Sequence, residues 1–433
     1  MRTLSRRALI AGLGGGMASW ALSACSGTGA GSTTGSGQGG GKQINAFYWG
    51  SDSRAKLTNQ VFDLFAKKNP GMSVKGQFLA FSNYFDKLGT LAASGSMPDL
   101  IQTNPGSLTQ YGANGQLLDL STLNLNLGDY QDAALKTGQA NGKQYGLAFG
   151  YQYVTVFYNA DLLKAANTEL PKDPASWDDW ADFAVQLKGK LPANTYAMAD
   201  CSSDSNSFES WMVGRGKTLF TDGGKLGYDV GDVTAWFEYW TGLRARGAVA
   251  PAADSVTYVQ TGAVTDSPLT KGKAAMTLGI NVGFQGYQQL NKAALDLAAC
   301  PTGPAGRCET NHFFGWSVSA STKASGAVKA FLELWFADAS VVQIVGTDRA
   351  LPASKTQLEA LDKVADGATK QLLKFSIAHP GIKPLSPPAT PPSIGSKQDE
   401  SLRRAAEAVV TGSSKPSEAA QKLVQEVQAA LGS

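Results

Sequence analysis

The chain has 433 residues, 43% of them apolar, with 38 Lys and Arg against 35 Asp and Glu and a formal net charge of +3. That length exceeds what one core usually organises, so two domains are expected. Arg2, Arg6 and Arg7 carry the whole positive excess, and no polybasic run or zinc-finger spacing follows them, which argues against a nucleic-acid partner.

The chain opens on "SRRALIAGLGGGMASWALSAC", Ser5 to Cys25. The apolar run Ala8–Ala24 is at the short limit for a membrane span and carries Gly12, Gly14, Gly15 and Gly16, which weaken a permanent helix. Its composition predicts a signal peptide over 1–24. Arg6-Arg7 resembles a twin-arginine export signal, and Leu22-Ser23-Ala24-Cys25 resembles a lipobox that would place lipid on Cys25. Two or more acyl chains tether a soluble body stably where one does not. The stretch from Ser26 to Lys42 has eight glycines and no large apolar side chain, so 25–42 reads as a lipidated cysteine and a flexible leash reaching roughly 20–25 Å. The body is then expected on the outer face of the cytoplasmic membrane.

Three cysteines remain. The loop "CPTGPAGRC", Cys300–Cys308, permits a disulfide without fixing one, and Cys201 is expected to be buried and unpaired. His312 and His379 offer little material for a histidine triad or a metal centre, and no cofactor or metal is expected.

From Gln43 the pattern alternates strand and helix. "INAFYW" reads as a strand, Asp52 or Ser53 as the cap of a helix through Leu57, Val61, Leu64 and Phe65, and "SVKGQFLA" as a second strand. Ser82 is expected to open the next helix, "PDLIQT" is a third strand, and Ser107 opens a further helix. Three such units predict an α/β body with a mostly parallel sheet. Ligands of open α/β sheets bind beyond the carboxyl ends of the strands. Those ends carry Trp49, Ser51 and Asp52, then Phe81 and Asn83, then Asn104: flat rings and short polar groups, as a sugar needs. The same rings would also suit a core.

"YGLAFGYQYVTVFYNADLL", Tyr145–Leu163, reads as one continuous β-like run with Tyr151, Tyr153 and Phe157 on one side. "PASWDDWADFAVQLKG" is a helix capped by Ser176, and Asp178 and Asp179 are first-turn acids that favour the dipole rather than a catalytic pair. Phe208, Glu209 and Trp211 fall at a helix start, Asn281 and Phe284 follow a buried strand, and Trp316 lies in another. The chain ends in an amphipathic helix, Ser417–Leu431, and Pro-rich 379–393 is a loop or hinge.

These segments resemble the family-1 extracellular solute-binding lipoproteins of ABC importers, the sugar-binding type distantly related to maltose-binding protein. The resemblance rests on "SGSMPDLIQTNPGSLTQYGANGQLLDLS", "VFYNADLLKAA", "PASWDDWADFAVQL", "KGKAAMTLG" and "GWSVSASTKASGAVKAFLELWF", in order behind the lipobox. It implies a type II two-lobe fold like that of periplasmic binding proteins, each lobe a mostly parallel sheet flanked by helices, with the ligand cleft between them. One lobe would take 43–149 and 314–355, the other 150–313 and 356–433. The resemblance places Tyr151 and Gln152 at the cleft floor, Trp49, Asp52, Asn83 and Asn104 as contacts from the first lobe, beside the strand-end candidates Ser51 and Phe81, and Phe208, Glu209 and Trp211 as stacking contacts from the second. Asn281, Phe284 and Trp316 complete the set, although Val282 stands where the family often has tryptophan. The partners implied are a carbohydrate and the ABC permease, with the carrier a monomer. Two alternatives stay open: a secreted glycoside hydrolase pairing Asp52 with Glu209, and a carrier of a non-sugar solute.

Overall fold

The computed structural model describes residues 41–306, 310, 313–379, 391, 394 and 397–432. The expectations for the signal segment, Cys25, the leash up to residue 40, Cys308, His312 and most of the Pro-rich stretch fall outside them. Among the described residues no helix is long and apolar enough to cross a membrane.

The strands are β1 (Gln43–Trp49), β2 (Ser73–Leu79), β3 (Leu100–Thr103), the short pair β4 (Gln139–Ala140) and β5 (Lys143–Gln144), β6 (Gly146–Ala148), β7 (Val154–Asn159), β8 (Tyr196–Met198), β9 (Ala274–Ile280), β10 (Leu295–Ala299) and β11 (Gly315–Val318). The first sheet has the order β2-β1-β3-β11-β6 and the second β10-β7-β9-β8. The strand directions correct the expectation of mostly parallel sheets. In the first, β1 is parallel to β2 and β3, but β11 runs against β3 and β6. In the second, β7 runs against both β9 and β10, and only β8 and β9 are parallel. Strand β7 leaves the first sheet directly, so it runs outward while its neighbours return.

Alternation along the strands divides the cores. Ile44, Ala46 and Tyr48 of β1 join one cluster and Phe47 and Trp49 the other, because successive side chains leave opposite faces. Likewise Val154 and Val156 face one core of the second sheet, while Tyr153 and Phe157 face the other. The carboxy-terminal helix Pro416–Leu431 buries Ala420, Leu423, Val424 and Val427, as its periodicity predicts.

Local starts differ from the sequence reading in instructive ways. Ser51, not Asp52 or Ser53, caps the helix Asp52–Lys68, its Oγ accepting from the Arg54 amide at 3.3 Å. Asn104 caps Pro105–Ala113 in a box with Ser107, so Ser107 is the third helical residue rather than the opener. The helix at Phe81–Ala93 starts one residue before Ser82, after Ala80 and without a side-chain cap. The expected continuous run from Tyr145 to Leu163 is broken: β6 belongs to the first sheet, β7 to the second, and Ala160–Ala165 is helical. Residues 149–153 are a crossing between sheets.

A segment around Leu351 lies antiparallel beside it. The Tyr151 amide donates to Leu351 O at 2.8 Å and the Leu351 amide returns to Tyr151 O at 3.2 Å. Gly150, at φ +153°, is where the two strands close up: a Cβ there would stand 1.8 Å from Leu351 O. Only glycine fits this approach. Gly150→Ala should therefore cost about 2 kcal/mol or more, read as a clear fall in the thermal unfolding midpoint; an unchanged midpoint would show that the strands part freely.

Candidate crossover-edge site

Strand register fixes which ends meet. Trp49 pairs with Leu79, Thr103 with Gly315, and Gly315 with Ala148, so the ends of β1, β2, β3 and β6 and the start of β11 share one edge. In the second sheet Val154 pairs with Ile280 and Thr155 with Ala299, and the Ala199 amide donates to Met276 O, so those ends share the edge that receives β7. Six Cα steps separate Ala148 from Val154, which holds the two edges within about 20 Å along this passage.

The first edge carries an aromatic shelf. Phe81 is 55% exposed and sits edge-on to Trp49 at 5.7 Å and to Phe85 at 5.4 Å. Trp49 itself is nearly buried, backed by Tyr84 at 5.1 Å and Phe314 at 6.2 Å, so it supports the shelf more than it presents a face. Ser51, Asp52 and Asn83 lie exposed on the adjoining helix starts. The Asn104 side chain is engaged in its own cap. Phe85 and Phe314 belong to this shelf and were not singled out in the sequence; "FSNYF" repeats an aromatic at one helical turn, which is the signal that could have found Phe85.

At the crossing, the Tyr151 hydroxyl donates to Gln131 Oε1 at 3.1 Å, and Gln152 Nε2 donates to Arg349 O at 2.5 Å. Burial raises the Tyr151 hydroxyl pKa, keeping it a neutral donor at neutral pH.

The second edge is more polar than the sequence suggested. Asp204 caps the helix Ser205–Val213, accepting from the Ser207 amide at 2.7 Å. Desolvation outweighs that bond and lifts its carboxyl above the ordinary range, and the Asp399 carboxyl is raised for the same reason, with the charges of Asp204 and Glu209 adding to it. The polar run "SSDSN" after β8 is the sequence signal for this wall. Asp200, beneath it, is buried and paired with Arg244, which pins the end of β8.

Four expected ring contacts are instead committed to protein neighbours. Phe208 is fully buried against Tyr228 and Trp236. Trp211 packs between Trp177, Trp236 and Tyr239, with the Arg215 guanidinium 3.5 Å from a ring centroid. Phe284 lies on Phe157, and Trp316, in a strand paired on both sides, has its ring within the first lobe's core among Tyr48, Phe149, Phe331 and Trp335. Glu209 is buried and accepts from Thr310 Oγ1 at 3.1 Å. Asn281 is buried too, its Oδ1 accepting from the Tyr153 backbone amide at 3.2 Å and its backbone N–H donating to Tyr153 O, so it fastens β9 to the crossing. Cys201 is a free buried thiol, its pKa pushed up to about 12 by burial.

The fold is two mixed sheets joined at their edges by the crossing, and comparison gives its family. The chain belongs to the bacterial extracellular solute-binding proteins, whose family model matches residues 60–371. It is 26% identical over 205 residues to YcjN of Escherichia coli, spanning 45% of this chain and 46% of that one. A maltooligosaccharide ABC transporter solute-binding lipoprotein of Streptococcus pneumoniae is 24% identical over 306 residues, 67% of each chain. Among solved structures, a family 1 extracellular solute-binding protein from Alicyclobacillus acidocaldarius superposes with a TM-score of 0.77 at 23% identity, over 90% of this chain and 98% of that one.

The burial pattern separates shelf from core by stability. Trp211→Ala should cost about 3–5 kcal/mol, whereas Phe81→Ala should cost less than about 1 kcal/mol. Thermal unfolding of the two variants checks this, and a reversed order would show that the shelf and core have been misassigned.

Proposed function

We propose that the protein is the extracytoplasmic binding component of an ABC importer that captures a carbohydrate between its two lobes and passes it to a membrane permease. The observation that carries this reading is Phe81, a large ring left 55% exposed at a strand-end edge and braced by Trp49 and Phe85. An exposed ring with carboxylate, amide and hydroxyl groups beside it suits a sugar, whose ring has an apolar face and a rim of hydroxyls. The pneumococcal relative named for maltooligosaccharides supports the same class. In this reading 43–149 with 314–355 and 150–313 with 356–433 are the two moving bodies. Ser51, Asp52, Phe81, Asn83, Tyr151 and Gln152 contact the ligand, with Asp204, Asn206 and Asp399 facing them.

The carrier needs no covalent chemistry. Ligand that touches both lobes binds the closed state more tightly, and about 5.5 kcal/mol of differential affinity turns a 1:99 population into 99:1. A hydrolase would need two free carboxylates across the sugar. Of the expected pair, Glu209 is buried and bonded to Thr310, which favours binding over hydrolysis. The protein acts as a monomer, exported through its twin-arginine segment and held at the membrane by lipid on Cys25.

Calorimetric titration with maltotriose should give heat at one site per chain and no shortened product by chromatography. Released glucose or maltose would overturn the carrier reading, and no heat with any maltooligosaccharide would remove that sugar class. Phe81→Ala should weaken binding by about 1 kcal/mol or more while the chain stays folded. A Cys25→Ser variant should leave the membrane fraction for the soluble extracytoplasmic one; retention at the membrane would contradict lipid anchoring.

A further inference from the structure

Arg349 is 5% exposed and lies two residues before Leu351, which pairs with the crossing at Tyr151. Its guanidinium carbon stands over four rings: Phe149 at 4.7 Å, Tyr48 and Trp316 at 5.5 Å each, and Trp335 at 5.7 Å from their centroids. Nη1 donates to Gln102 Oε1 at 3.0 Å and Nη2 to Thr58 Oγ1 at 2.8 Å. Among the described residues no carboxylate forms an ion pair with it; the neighbouring Asp348 is taken by Arg54, whose Nε donates at 2.8 Å. A buried cation is thus held by ring quadrupoles and two neutral acceptors rather than by a counter-ion.

Its attachments run in two directions. Through Gln102 and Thr58 it grips β3 and the helix Asp52–Lys68, both of which carry the candidate edge. Through its own carbonyl it receives Gln152 Nε2, and two residues on, Leu351 exchanges backbone bonds with Tyr151. Trp316, which the sequence placed at the ligand, is one wall of this cage instead.

We propose that Arg349 is a positioning residue for ligand capture, locking the crossing and the segment paired with it to the first lobe's edge so that they move with that lobe when the second one closes. This rests on the two-lobe capture reading. Burial and the nearby Arg54 push the Arg349 pKa down to about 9, which still leaves it charged at neutral pH. Neither lysine, with no flat fork, nor methionine, with no charge or donors, reproduces the grip.

Native-state hydrogen exchange on the full chain, without sugar, tests this on the wild type, Arg349→Lys and Arg349→Met. The Tyr151 and Leu351 amides should lose protection by about tenfold or more in both variants, while amides of β1 and β9 change by less than about threefold. Uniform loss across both sheets would mean a merely structural role, and unchanged hinge amides would mean no role; either overturns the proposal. If Arg349→Met does not fold, Thr58→Val removes one acceptor at constant volume and should show the same local loss on a smaller scale; its absence overturns the proposal as well. In calorimetry with maltotriose, Arg349→Lys should bind at least about fivefold more weakly than wild type, and equal affinity would count against positioning. A wild type that ignores maltotriose would count against the carbohydrate reading alone, leaving the exchange result to decide Arg349.

Discussion

The structure depends on the crossing between the two sheets and on the antiparallel segment bonded along its side. Their approach at Gly150 and Leu351 leaves no room for a side chain, and their backbones are bonded at Tyr151 and Leu351. Arg349 fastens the pair to the first sheet from below. An uncompensated buried charge is costly, and desolvated cation–π contacts of about 2 kcal/mol each, with two hydrogen bonds, are the terms that offset it. The crossing is thus bonded along its side rather than left as a loose linker.

Aromatic residues are sorted by where the chain runs. A side chain is buried where another layer covers its face of the sheet, so Trp316, packed on Phe331 and Trp335 of the helix Ser325–Ala337, is interior however polar its surroundings look in sequence. Helices laid on the second sheet bury Phe208 and Trp211 together with Trp236. Phe81 escapes because it is the first residue of a helix that follows an edge strand, where no further strand covers it. In the proposed reading one lobe offers a ring and the other carboxylates and short polar groups, which suits a ligand with one apolar and one hydroxylated face.

Much of the fold was legible from local chemistry. The spacing of Val61 and Phe65, the Ser176 cap and the terminal amphipathic helix all report on their own neighbourhoods, and the structure agrees with each. Strand direction was not legible, because β7 and β9 read alike whichever way they run. The candidate site was legible only in part: strand ends pointed to Phe81 and Asp52, but ring burial depends on partners far away in the chain. Trp211 meets Trp177 and Trp236, and Trp316 meets Tyr48 and Trp335, contacts that no local pattern announces. Arg349 went unnoticed for the same reason, since a lone arginine in "GTDRALP" carries no periodic signal.

Family membership, two sheets joined by the crossing, and an exposed ring at a strand end of the first sheet support the proposed capture by closure. Small-angle X-ray scattering, with and without a saturating maltooligosaccharide, addresses that claim most directly. The account predicts a smaller radius of gyration in the saturated chain, reversing when the sugar is removed. A sugar bound at one site per chain with no contraction would contradict it.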